Sequence, residues 1–336
     1  MTKLLVVTGA TGNQGTAVIK YFQQHEPSFN LRGLTRNADS SAAIALASSG
    51  VEIVEADNDD VASLKHAFRG AHAIFAYTAF SAILLRPEIM GRVVAGELPP
   101  PVGQYAFPLE VQQGKNIADA AASVPGLHRL IWSSLSSSKK WSKGKYTQGF
   151  HFDSKEDVKV YMNSLGPLKG KVSCVQMGGF AENLIKMPER FGLAMGSDGK
   201  LHWETMLIAD RPFPWIDVER DTGAFVSALI DAPSGTQVVG ASQYITFNQY
   251  LKLLCDHLGV AGTYKRTAFG DNVKDDPTHF KLELAEVYAY VMEFGYDGGD
   301  PEVITPDELE RRGFSVPRGK IADHVKRSDW SHLVPA

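Results

Sequence analysis

The stretch Lys3–Gln24, KLLVVTGATGNQGTAVIKYFQQ, carries the reading of the fold. Lys3–Thr8 is a short apolar run of the kind that forms a strand buried on both faces. Asn13–Gln24 then places Val18, Ile19 and Phe22 on one side of a helix. Between them lies Gly9-Ala10-Thr11-Gly12-Asn13-Gln14-Gly15, a GxxGxxG loop directly after a strand and opening a helix. One glycine permits the tight turn, one lets the backbone approach a pyrophosphate, and one lets helix and strand pack closely. The helix start adds unpaired N–H groups and a positive dipole end for phosphates. A dinucleotide site is the expectation, with Gly9, Thr11, Gly12, Asn13, Gln14 and Gly15 around the phosphates.

Outward from this unit, short apolar runs alternate with helical patterns. Strands are expected at Asn30–Leu34, Val51–Ala56, Ala71–Tyr77, Leu127–Trp132 and Lys171–Gln176. Helices are expected at Ser40–Ser49, Val61–Phe68, from Pro108 as first residue to about Ser123, and at Lys155–Leu165. Such alternation predicts an α/β chain with a Rossmann-type, doubly wound parallel sheet. The second half is less regular, with helices at Asp221–Ile230, Thr246–Leu258 and Pro277–Phe294. The last of these sets Phe280, Leu284, Val287, Tyr288 and Val291 in one stripe. The expected organisation is a Rossmann domain over 1–176 to which 216–240 returns. A smaller, discontinuous α+β lobe for substrate or partner occupies 177–336.

Composition narrows the function. The 336 residues are 44% hydrophobic and 21% charged, with net charge −4. A mildly acidic chain lacks the dense cationic face that nucleic acid requires. Two cysteines, Cys174 and Cys255, provide neither a disulfide framework nor a cysteine zinc site, and fit a reducing compartment such as the cytoplasm. No HExxH or close histidine–carboxylate cluster suggests a metal. Leu4–Val7 is too short for a secretory leader, and the uncharged stretch Gly70–Leu85 is shorter than the roughly 18–20 residues of a membrane span.

Coenzyme choice falls to the end of the second strand. Leu34-Thr35-Arg36-Asn37 has no carboxylate to accept from a ribose 2′-hydroxyl. Arg36 instead suits a 2′-phosphate, so NADP(H) is expected over NAD(H); the alternative is a solvated arginine. Asp57 and Asn58 end the third strand and either border the adenine or cap the next helix. Tyr77, Thr78 and Ala79 end the fourth and are expected beside the nicotinamide ribose. Gly178 and Phe180 follow the sixth and suit a wall beside the nicotinamide, Phe180 otherwise being plain core.

VTGATGNQGTAV (7–18), LTRN (34–37), HFDSKEDVKVYM (151–162), GGFAENL (178–184) and IDVERDTG (216–223) together resemble the NmrA-like family of atypical short-chain dehydrogenases/reductases. The resemblance spans roughly residues 3–260. It implies a Rossmann domain binding NADP(H) or NAD(H). Function in that family is divided between reductases and dinucleotide-sensing regulators without known turnover; the second role would give this chain a protein partner and open a nuclear location beside the cytoplasmic one.

The wider superfamily uses a Tyr-x-x-x-Lys pair on a helix. The corresponding positions here read His151-Phe152-Asp153-Ser154-Lys155, so the resemblance implies that Lys155 holds the nicotinamide ribose, while the tyrosine is replaced. His151, four residues earlier, is either the proton donor or a structural group before the helix. Tyr146 is a weaker substitute. Ser133, ending the fifth strand, either holds a substrate carbonyl or satisfies local backbone. The Pro-rich segment Phe80–Phe107, with Leu84, Leu85, Ile89 and Met90, either closes over an apolar substrate or is a packing excursion. Two functions follow: NADPH-dependent reduction of a small, largely apolar carbonyl or enone, or a dinucleotide-responsive regulator without turnover.

Overall fold

The computed structural model describes residues 3–269, 271 and 280–333. Its strands are β1 (Lys3–Val7), β2 (Phe29–Thr35), β3 (Glu52–Glu55), β4 (Ala73–Ala76), β5 (Arg129–Ser134), β6 (Val172–Met177), β7 (Gly179–Phe180), β8 (Leu193–Met195), β9 (Leu201–Thr205), β10 (Phe213–Ile216), β11 (Gln237–Gly240), β12 (Gln243–Ile245), β13 (Gly262–Arg266) and β14 (Val303–Ile304). The helices are α1 (Asn13–His25), α2 (Ser41–Ser48), α3 (Val61–Ala67), α4 (Phe80–Leu84), α5 (Pro87–Val94), α6 (Gly103–Ala122), α7 (Ser138–Trp141), α8 (Phe150–Ser164), α9 (Asn183–Lys186), α10 (Val218–Asp231), α11 (Phe247–Leu258), α12 (Phe280–Phe294), α13 (Pro306–Arg311) and α14 (Ile321–Arg327).

Eight strands form one sheet in the order β14-β11-β6-β5-β4-β1-β2-β3, every neighbouring pair parallel. One face buries Val18, Ile19 and Phe22 of α1 with Phe225 and Leu229 of α10. The other buries Leu64 of α3, Ile117 of α6, and Val158 and Met162 of α8. Each helix turns its apolar stripe to the sheet, and strands covered on both faces read as continuous apolar runs. The structure is thus the doubly wound α/β fold, with two small mixed sheets, β12-β10-β7 and β13-β9-β8, beside it.

Two expectations change, and two readings gain detail. Pro108 does not begin a helix but sits inside α6. Pro108 and Gln104, the residue whose carbonyl its missing N–H would have bonded, both lie on the exposed side of the helix, open to solvent. The helix expected from Lys155 starts at Phe150, so His151 and Lys155 share it. The sheet gains β11 and β14, too short to announce themselves by pattern. The segment 80–107 is no open loop: α4, α5 and the start of α6 bury Phe80, Ile83, Leu84, Ile89 and Val102 in a cluster of their own. Pro277, the expected start of the late helix, lies outside the described residues.

Candidate active site

The first glycine turn is built as its sequence demands. Gly9 has φ +56°, in the left-handed region. A Cβ on Gly15 would lie 2.3 Å from the Gly9 carbonyl oxygen, so this glycine sets how closely α1 approaches β1. The space over Gly9 and Gly12 is taken by Tyr77. Its hydroxyl donates to the Gly9 carbonyl at 2.9 Å and would lie 2.3 Å from a Cβ on Gly12. The Gly15 amide also faces that hydroxyl. Burial pushes the phenol up to about 12, so it stays a neutral donor. Gly12, the N-cap of α1, has no side chain to cap the helix. The Asn13 and Gln14 amides of the same first turn are left with no helical partner.

Arg36 follows β2, exposed and with no partner among the described residues. Asp57 turns back onto the Asp59 amide at 2.9 Å, and the Asn58 carbonyl accepts from Asn116 at 2.8 Å. Ala79 is exposed where α4 begins. Thr78 is buried, and both its carbonyl and its hydroxyl accept from Lys155, at 3.0 and 3.1 Å.

A third bond from Lys155 Nζ runs 2.8 Å to Glu110 Oε1. Glu110 is fully buried, and its other oxygen accepts from Ser154. All three ammonium donors of Lys155 are therefore engaged. One turn earlier, His151 meets a second buried carboxylate, Glu283 of α12. Glu283 Oε1 accepts from the His151 backbone N–H at 3.0 Å and from Nδ1 at 2.5 Å. A carboxylate only accepts, so Nδ1 carries the hydrogen, and Nε2 is left with no partner among the described residues. Ser133 donates to the Gln14 side-chain oxygen at 2.9 Å, which commits its proton to holding the glycine-loop helix.

These groups border one cavity of about 270 Å³. Gln14, Ser133, His151, Lys155, Gly178 and Phe180 line one side. Trp203, Phe213, Trp215 and Phe247 line the other, with Leu284, Val287, Tyr288 and Val291 of α12. The aromatic wall is self-supporting: ring centroids lie 5.1 Å apart for Trp203–Phe247 and 5.0 Å for Phe213–Trp215. Gly178 is needed because a Cβ there would meet the Pro214 carbonyl at 2.2 Å, where the second lobe docks. Leu84, Leu85, Ile89 and Met90 do not reach this cavity, and Tyr146 bonds Glu293 at 2.8 Å instead.

Glu110 and Glu283 escaped sequence reading, since nothing in a helix pattern separates a buried acid from a solvated one. Nor did spacing show that Glu182, Asp217 and His324 gather beside the glycine loop. There the Arg327 guanidinium lies 2.5 Å from Asp217 and supplies positive charge.

Residues 1–316 match the NmrA-like family profile. The chain belongs to the NmrA-like family. Curated relatives include the NmrA-like family domain-containing oxidoreductases ptmS of Penicillium ochrochloron and malD of Malbranchea aurantiaca. The first is 29% identical over 80% of this chain and 75% of the relative. The second is 24% identical over 98% and 96%. Among solved structures, NmrA, a negative transcriptional regulator in complex with NADP, superposes with a TM-score of 0.73. It is 18% identical and covers 99% of this chain and 97% of that one. The NADPH-dependent quinone oxidoreductase QOR2 of Escherichia coli has a TM-score of 0.65, is 18% identical, and covers 98% and 99%. This NmrA-like chain shares the fold of a regulator and of an enzyme, so the site must decide between those roles.

Proposed function

We propose that this NmrA-like protein is an NADP(H)-dependent reductase of a small, largely apolar carbonyl or enone, acting in a reducing compartment such as the cytoplasm. The carrying observation is that His151 and Lys155, one turn apart on α8, both border an apolar cavity that touches Gln14 of the glycine-loop helix. A regulator has no need of a positioned proton donor facing such a space. The named relatives, called oxidoreductases, support the same choice.

The residues present fit a dinucleotide. Free Asn13 and Gln14 amides suit the pyrophosphate, and Gly178 and Phe180 suit the nicotinamide face. The NmrA neighbour is solved with NADP and also with NAD, so the fold does not choose. Exposed Arg36, with no partner among the described residues, supports NADP(H), since it suits a charge-assisted fork onto a 2′-phosphate. When bound, the coenzyme supplies the hydride.

Lys155, fixed by Glu110, offers its ammonium to a ribose hydroxyl in exchange for Thr78 Oγ1. Protonated His151 donates from Nε2 to the oxygen of a reduced carbonyl, or to the enolate of an enone, while Glu283 stabilises the imidazolium. The aromatic wall excludes water and holds the apolar body of the substrate.

The test is NADPH oxidation by purified protein with a panel of aldehydes, enones and quinones. At least one class is expected to accelerate oxidation, and His151→Gln to slow it about 10²-fold or more. NADPH binding with no acceleration by any class would overturn the proposal in favour of a sensor without turnover.

A further inference from the structure

The cavity beside His151 shares its outer wall with a second chamber of about 680 Å³. Phe191, Thr205, Leu284 and Tyr288 line both. The first chamber is mostly aromatic and aliphatic, whereas the second is bordered by charged and polar side chains. A molecule confined to the first would leave this polar annex without a purpose.

Two groups mark the junction. Tyr288 has no hydrogen bond to its hydroxyl among the described residues, and burial keeps its phenol protonated while nearby Arg190 pulls the other way. The Arg190 guanidinium lies 4.4 Å from the centre of the Phe280 ring, which orients it, and its one hydrogen bond among the described residues is a weak contact to the Met187 sulfur. No described carboxylate lies within ion-pair distance of Arg190. Glu204, in the same chamber, faces Lys265 at 3.4 Å, and His202 is held by Asp198 at 2.9 Å. Glu189 and Asp271 also line the chamber without engaging Arg190. An oriented guanidinium beside an unpaired phenol is a donor pair for a planar anionic acceptor.

We infer that the second chamber is a subsite for an anionic substituent, a carboxylate or its equivalent, carried by a ligand whose apolar ring system occupies the chamber beside His151. The inference rests on the proposed function for the statement that the ring system is the part reduced; the binding itself does not depend on turnover. It deepens the proposed function: the apolar body that is reduced carries an anionic substituent that reaches the second chamber. Tyr288 and Arg190 read the substituent, and the distance between chambers sets which carbon reaches the nicotinamide side.

Two dyes with one aromatic skeleton test this without a known substrate. 8-Anilinonaphthalene-1-sulfonate carries an anion, and N-phenyl-1-naphthylamine lacks it. Fluorescence titration of the full chain is expected to show both binding, the sulfonate more tightly. Arg190→Gln, an exposed substitution, should weaken the sulfonate about tenfold and leave the neutral dye unchanged. Leu284→Trp, at the shared wall, should weaken both. Equal loss of the two dyes in Arg190→Gln, no loss of either, binding unaffected by Leu284→Trp, or no binding to the wild type would each overturn the inference. Those results leave the reductase proposal to its turnover assay, which fails or succeeds separately.

Discussion

The two walls of the cavity are held in place by different physics. On the sheet side, polar groups are fixed by buried hydrogen-bonding partners: Lys155 by Glu110 and Thr78, His151 by Glu283, Ser133 by Gln14. On the lobe side, Trp203, Phe213, Trp215 and Phe247 are fixed by packing alone, apart from the Trp203 indole bond to the Phe191 carbonyl at 3.0 Å. A hydrogen-bonded wall is directional and fails sharply when one partner is lost. An aromatic wall is adaptable in shape and fails in proportion to the volume removed. The first kind suits chemistry, which needs an atom in one place. The second suits recognition of an apolar body.

The largest expected effect is on the polar wall. Lys155→Ala leaves the Glu110 carboxylate buried with Ser154 as its remaining partner, and should cost about 3–5 kcal/mol of folding stability in urea melts. The double variant Lys155→Met, Glu110→Leu should recover most of that stability while activity stays lost. Recovery of turnover in the double variant would show that the lysine is only structural. Trp203→Ala should cost about 3–5 kcal/mol through the cavity it opens, with Trp203→Phe milder. NADPH affinity, measured by calorimetry, should barely change in Trp203→Phe. A parallel fall would mean the two walls are not independent.

Smaller effects lie at the edges of each wall. Arg36→Ala should weaken NADPH about 10- to 100-fold and leave NADH unchanged, corresponding to about 1.5–3 kcal/mol. An unchanged NADPH affinity would remove the coenzyme assignment. The smallest effect concerns Asp217, which caps α10 beneath the lobe. Burial alone would raise its carboxyl, but His324 and Arg327 overcome this and hold it below the usual range. Its stabilising contribution is therefore complete above the ordinary aspartate pKa and is lost as pH falls through the depressed folded value. Half-exposed Arg327 limits the pair to about 1 kcal/mol. Arg327→Gln should lower the urea midpoint at pH 7, and the gap from wild type should close on acidification.

Legibility followed the range of the forces involved. The β1–loop–α1 unit was readable because its glycines, strand and helix are local, and each residue's conformational requirement is written in its neighbours. His151 and Lys155 have the spacing of one helix face, but the helix read from the sequence began at Lys155, and the structure extends it back to Phe150. Their partners could not be read from spacing. Glu110 stands 45 residues from Lys155 and Glu283 stands 132 from His151, and each looks in sequence like any helical acid. Pro108 misled for a related reason: inside a helix proline loses a hydrogen bond and crowds the preceding turn, a local cost that the packing of the rest of α6 outweighs.

The amino-acid sequence by itself determined the alternation of strands and helices, hence the parallel sheet, the phosphate loop at its first turn, and the absence of an acid at the end of the second strand. Only the tertiary structure decided which carboxylates anchor His151 and Lys155, that Tyr77 fills the glycine loop, and that a wall of four aromatic rings faces them. The reason is range. Backbone conformation and periodicity are set by residues a few positions apart, whereas desolvation and pairing of a charge depend on whatever the folded chain brings beside it.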